Sequence, residues 1–160
     1  MGDGGRETVD GRRWTVPDCA EATSDGGWAG KFGFFFNRYQ MGNFKDLRVW
    51  QEGLELAADI YSITKEEPFS RDFGLCNQIQ RAAVSIPSNI AEGDERGTNK
   101  ECIYYFNVAK GSCAEVITQL NIANRTGYIS TEILIKLEDQ AERIRASLKN
   151  LIRTRETRQP

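Results

Sequence analysis

The sequence predicts an all-α protein, an antiparallel up-down-up-down four-helix bundle. Three observations lead there. From residue 44 onward apolar residues recur at steps of three and four almost without a break. No alternating strand pattern competes with them. The connections between the periodic segments are short, which makes neighbouring helices antiparallel.

The first helix is expected from about Asp46 to Glu66, with the stripe Leu47, Trp50, Leu54, Ala57 and Tyr61 facing the core. Pro68 lies just beyond its end. The second begins near Ser70 or Arg71 and ends at Gly93, a residue suited to the left-handed conformation that closes helices. Its stripe is Leu75, Ile79, Ala82, Ala83, Ile86 and Ile90. Pro87 sits inside this pattern, deletes the amide bond back to Ala83 and should kink the helix. The third opens with a capping box, Thr98-Asn99-Lys100-Glu101, carries Ile103, Phe106, Ala109, Cys113, Ile117 and Leu120 inward, and stops at Gly127. The fourth starts after Ser130, a good N-cap, with the stripe Leu134, Leu137, Ala141, Ile144, Leu148 and Leu151.

The 160 residues are enough for one domain, and 39% apolar residues can supply one core. We place the bundle at residues 43–155, a frayed tail at 156–160, and an N-terminal extension at 1–42. Residues 1–40 hold eight glycines, scattered charges and no sustained period. They read either as an in-frame stretch upstream of a start at Met41 or as a disordered tail.

Composition narrows the function classes. The net charge of −2 gives no global field toward nucleic acid or anionic lipid. No apolar run approaches the ~20 residues of a membrane span, and the N-terminus lacks the pattern of a secretory signal. A cytoplasmic protein with no membrane partner is expected. Cys19, Cys76, Cys102 and Cys113 form no C-x-x-C pair, and reduced thiols fit them better than disulfides or zinc. Histidine is absent, which removes the commonest general base and the commonest transition-metal ligand. No helix places two carboxylates in its core stripe, and no glycine-rich phosphate loop is present. We therefore expect no enzyme, no cofactor and no metal.

The segment Arg81-Ala82-Ala83-Val84-Ser85-Ile86-Pro87-Ser88-Asn89-Ile90-Ala91-Glu92-Gly93 resembles the signature of the four-helix bundle proteins called 23S rRNA intervening-sequence, or S23-like, proteins. Phe44-Lys45-Asp46-Leu47-Arg48-Val49-Trp50-Gln51, Gly111-Ser112-Cys113-Ala114-Glu115 and Gly127-Tyr128-Ile129 are similar to the same family. The resemblance covers about residues 43–153. It implies a bacterial four-helix bundle that tends to form rings of five subunits, with no established biochemical activity. Some members of that family are encoded inside insertions in 23S rRNA genes. Distant relatives are accessory proteins of diversity-generating retroelements, in which a basic pentamer works with a reverse transcriptase and nucleic acid.

Within the signature, Arg81, Ser85, Ser88 and Glu92 share the side of the second helix opposite its apolar stripe, with Asn89 nearer the edge. One reading makes this a solvated face on which Ser88 or Asn89 bonds carbonyls freed by Pro87. The other makes it a polar groove for a partner or nucleotide. The first is preferred, because Pro87 creates a backbone deficit that something nearby must fill.

Opposite the core stripe of the third helix lie Tyr104, Val108, Gly111, Glu115, Thr118 and Ile122. A merely solvated face would not need Tyr, Val and Ile at this spacing. Gly111 costs ~1 kcal/mol against alanine in a helix interior, a cost that close backbone approach would explain. We read the face as a subunit interface of a homo-oligomer, a pentamer by the resemblance, with Arg81 of the same or a neighbouring subunit paired to Glu115. The plainer alternative is scattered surface apolar residues.

The one hint of RNA or DNA is the basic end of the fourth helix. From Arg143 to Arg158 six basic residues face a single acid, Glu156, and Arg143, Arg145, Lys149, Arg153 and Arg155 are the candidate phosphate contacts. The alternative is that these cations complement the negative end of the helix. The sequence reading is thus an oligomeric scaffold or accessory protein, with weak nucleic-acid binding as its rival.

Overall fold

A computed structural model describes residues 43–157. They form α1 (Arg48–Ile63), α2 (Phe73–Asp94), α3 (Asn99–Arg125) and α4 (Thr131–Glu156), with single 3-10 turns at Phe44–Asp46 and Phe69–Arg71. No strand occurs among the described residues. The expectations for residues 1–42 and for Cys19 lie outside them.

Contacts between helices fix their directions. Gly53 of α1 faces Pro87 of α2, while Thr64 beyond the end of α1 accepts a 2.8 Å hydrogen bond from Gln80. Gly93 faces Phe106, and further back along α2 Ser85 meets Ser112. Asn121 of α3 bonds Glu138 of α4, and Asn99 at the other end of α3 accepts from Arg155. Asp59 of α1 accepts from Lys136 and Gln140 of α4. In each of the first three pairs residue numbers run in opposite senses, so consecutive helices are antiparallel; α1 also packs on α4, which closes the bundle.

The caps follow local chemistry. Asp72 accepts from the Leu75 amide, so α2 starts at Phe73, later than Ser70 or Arg71. Ser130 accepts from the Ile133 amide as expected. Half of the capping box forms: Thr98 accepts from the Glu101 amide at 3.3 Å, but the Glu101 carboxylate takes the Thr98 hydroxyl at 2.7 Å instead of reaching its backbone N–H. Gly127 has φ +80 and ends α3 as expected.

Two expectations are corrected. The inward face of α1 is Val49, Gly53, Leu56, Ala57 and Ile60, while Leu54 is 44% exposed and Tyr61 also faces out. Both stripes obey three-four spacing and differ by a rotation of about 100°. Gly53 lies on the observed stripe, buried against Ile86 and Pro87, where an added Cβ would make ordinary contacts at 3.4–3.6 Å. Gly93 is not a left-handed terminator. It is buried inside α2, where a Cβ would come within 2.9 Å of the Phe106 ring. Close helix packing, and not backbone conformation, requires glycine there.

α2 runs unbroken through Pro87, which is buried. The core is one cluster joining all four helices, with Leu56, Ile60, Ile86, Phe106, Leu120, Leu137, Ile144 and Leu148 almost fully enclosed.

Candidate functional site

Arg81, Ala82 and Ser85 of the signature segment line part of one side of a groove between α2 and α3. The groove has a volume of about 670 Å³ and is lined by Gly74, Asn77, Gln78, Arg81, Ala82 and Ser85 from α2 and by Val108, Ser112 and Glu115 from α3. At its floor the buried Ser112 hydroxyl lies 2.9 Å from Ser85 Oγ, and the Asn89 amide donates to the same oxygen at 2.9 Å and to the Ser85 carbonyl at 2.7 Å. Ser85 therefore does not sit on an outward solvated face. It is half-buried on the flank of α2 that meets α3.

The repair of the Pro87 deficit also differs from expectation. Ser88 donates to the Val84 carbonyl and Asn89 to that of Ser85. Neither reaches Ala83, the carbonyl that Pro87 leaves, because a helical side chain bends back to its own i−4 position. Glu92 is exposed and pairs with Arg96, whose guanidinium also bonds Tyr105 Oη at 2.9 Å and lies 4.9 Å from the centre of that ring.

This segment lies within the region that matches a family model. The model, described as 23S rRNA-intervening sequence protein, matches residues 45–150. The chain belongs to that family. A solved structure from Bacteroides thetaiotaomicron, described as a protein of unknown function from the S23 ribosomal protein family, is similar in both sequence and fold. It shares 27% identity and a TM-score of 0.61, over 65% of this chain and 97% of its own length. No curated protein matches the chain. The family membership carries no reaction with it.

In this family member the groove brings Arg81 and Glu115 to opposite walls, with no ion pair joining them. Sequence reading did not single out Gly74, Asn77, Gln78 or Ser112 of this groove, and of these Ser112 carried a signal, a polar side chain inside the buried arc of α3. The outer face of α3 carries Tyr104 at 64% exposure, Val108 at 36% and Ile122 at 44%, with Glu115 exposed among them. A Cβ on Gly111 would meet nothing within 4 Å among the described residues.

The basic end of α4 is interspersed with acids. Arg143 pairs with Asp139 at 3.3 Å, Arg145 with Glu142 at 2.8 Å and Arg155 with Asp94 at 3.5 Å, while Lys149 and Arg153 are exposed. Asp94 is 8% exposed at its side chain, and its second oxygen has no hydrogen-bond partner. Burial pushes its carboxyl above the usual carboxylate range, and the Arg155 guanidinium only partly opposes this. Cys76, Cys102 and Cys113 are free and buried. Burial raises all three thiols, Cys113 to about 12. Among the described residues no cluster of three His, Cys, Asp or Glu side chains is placed to hold a metal ion, and no helix is long and apolar enough to cross a membrane.

Proposed function

We propose that the chain is a non-enzymatic helical-bundle protein that self-associates through the outer face of α3 and serves as an oligomeric scaffold or accessory factor. The observation that carries this reading is the exposure of Tyr104, Val108 and Ile122 along one edge of a helix whose opposite edge is already buried in the core. Such a stripe costs solvation in the isolated chain and is relieved by another protein surface. Gly111, which no described residue approaches, is open to a neighbour.

Against catalysis, the Ser85 and Ser112 hydroxyls bond each other, the Asn89 amide and a backbone carbonyl, so no general base activates them. Nucleic-acid binding draws less support, because Arg143, Arg145 and Arg155 are already engaged by acids of the same chain. Native mass measurement tests the reading. A closed homo-oligomer is expected at micromolar concentration, and Val108→Glu should lower its mass. A monomer in the unmodified chain would overturn it.

A further inference from the structure

Arg81 and Glu115 stand on opposite walls of the α2–α3 groove, and neither forms an ion pair with any described residue. The Ser85–Ser112 hydrogen bond sets the register of these antiparallel helices and puts the two charges at one level. Neither helix supplies a partner along its own surface. The positions three and four residues from Arg81 hold Asn77, Gln78, Val84 and Ser85; those around Glu115 hold Gly111, Ser112, Thr118 and Gln119. All are uncharged. The groove does not end there. An adjoining hollow of about 420 Å³ shares Gly74 and Gln78 with it and adds Thr118, Gln119, Ile122 and Thr126. From Gly74 to Ser85 the two run about 16 Å along α2, the length of about five residues of extended chain. Asp72 stands at the far end and is already engaged by the Leu75 amide and by Tyr128 Oη. Apart from Arg81, Glu115 and Asp72 the lining is uncharged, and Asn77, Gln78 and Gln119 give it three carboxamides. Gln119 Oε1 is shut off from solvent with no hydrogen-bond partner among the described residues.

We propose that this groove holds an extended peptide segment of a partner protein, one that carries an acidic side chain next to a basic one. The proposal rests on the accessory-factor reading above and names what such a factor would hold. An extended main chain has N–H and C=O groups that lose water on docking and need new partners. Carboxamides suit them, because each offers both donors and an acceptor. A turn about the last side-chain bond of Gln119 brings its unpartnered oxygen to a peptide N–H. Thr118 and Thr126 direct their hydroxyl hydrogens to carbonyls of their own helix, so their oxygens are left as acceptors. Successive side chains of an extended chain point to opposite sides. Where the peptide passes between Arg81 and Glu115, one residue therefore faces the guanidinium and the next faces the carboxylate. Aspartate or glutamate beside lysine or arginine satisfies both with charge-assisted bonds. Val108 and Ile122 on the exposed rim offer apolar contact to the same chain. The groove is open along its length, which admits a chain that continues past both ends, whereas a small ligand needs enclosure.

Peptide selection tests the proposal. The probe is a random library of end-blocked peptides about six residues long, enough to span the groove. It is selected on the immobilised full chain, with circular dichroism to check the fold of each variant. The selected peptides should carry an acid and a base at adjacent positions. Arg81→Gln and Glu115→Gln should each weaken their binding about tenfold or more. Charge reversal should rewrite the selection. Arg81→Glu should draw a base where the parent drew an acid, and Glu115→Lys an acid where the parent drew a base. Tyr104→Glu, outside both hollows, should select as the parent does. No selection by the parent, or the same peptides drawn by the parent and by both reversals, overturns the proposal. Peptides drawn by Tyr104→Glu alone would mean that a second copy fills the groove of the unmodified chain, and would overturn it too. Each of these failures leaves the proposed self-association standing, because the mass of the unmodified chain decides that separately.

Discussion

Gly93 of α2 lies against the ring of Phe106 of α3, so closely that a Cβ on Gly93 would come within 2.9 Å of Cδ1 and 3.0 Å of Cε1. Phe106 is itself enclosed in the core and has nowhere to turn. This contact brings the signature end of α2 against α3. Gly93→Ala should therefore destabilise the fold by about 1–3 kcal/mol, the usual cost of overpacking, although alanine is the better helix former. Urea denaturation measures it. An alanine variant as stable as the parent would show that the helices separate without cost.

The rotation of α1 is tested by two leucines. Leu56 is fully buried and Leu54 is 44% exposed. Leu56→Ala should cost about 2–5 kcal/mol, and Leu54→Ala within about 0.5 kcal/mol. The reverse order in thermal melts would restore the stripe that sequence spacing favoured.

Ser112, itself buried, carries a part-buried side-chain hydrogen bond that ties α3 to the signature helix at the groove. Ser112→Ala should cost about 0.5–1.5 kcal/mol. Because Ser85 and Ser112 act on each other, Ser85→Ala combined with it should cost less than the sum of the single changes. Strict additivity in denaturant titrations would mean the two hydroxyls do not interact.

Asp94 should imprint a pH dependence on stability. Burial raises its carboxyl above the unfolded value more than Arg155 lowers it. The folded state therefore binds this proton more tightly than the unfolded state. Its contribution is fully present below the unfolded value near 3.8 and is lost as pH rises through the folded value. Asp94→Asn should remove this component, so that its stability declines less than the parent's as pH climbs from about 4 toward neutrality. Parallel curves for the two proteins would sink the assignment.

Cys113 is fully enclosed, and its thiol is raised to about 12. Only the thiolate reacts with alkylating reagents, so the native protein should resist them at neutral pH. In a Cys19→Ser background, labelling of Cys76, Cys102 and Cys113 should follow unfolding, with a rate that rises with denaturant. Rapid native labelling of Cys113 would contradict the packing around it.

The sequence by itself determined the helix count, the inward faces of α2, α3 and α4 and most helix ends. Each depends on local chemistry: apolar spacing at three and four, Ser130 and Thr98 as caps, Gly127 as the left-handed stop. It also carried the family, through a string whose order survives without reference to any contact. It did not determine what the special residues were for. Gly53 and Gly93 look alike to any local rule, and Leu54 and Leu56 fit rotated stripes equally well. Only helix packing distinguishes them: atoms of Phe106 fill the place of a Cβ on Gly93, whereas a Cβ on Gly53 would meet Ile86 and Pro87 at ordinary contact distance. Likewise Arg81, Ser85, Ser112 and Glu115 are 34 residues apart at their extremes. Their meeting in one groove depends on the antiparallel register of two helices, which no window along the chain contains.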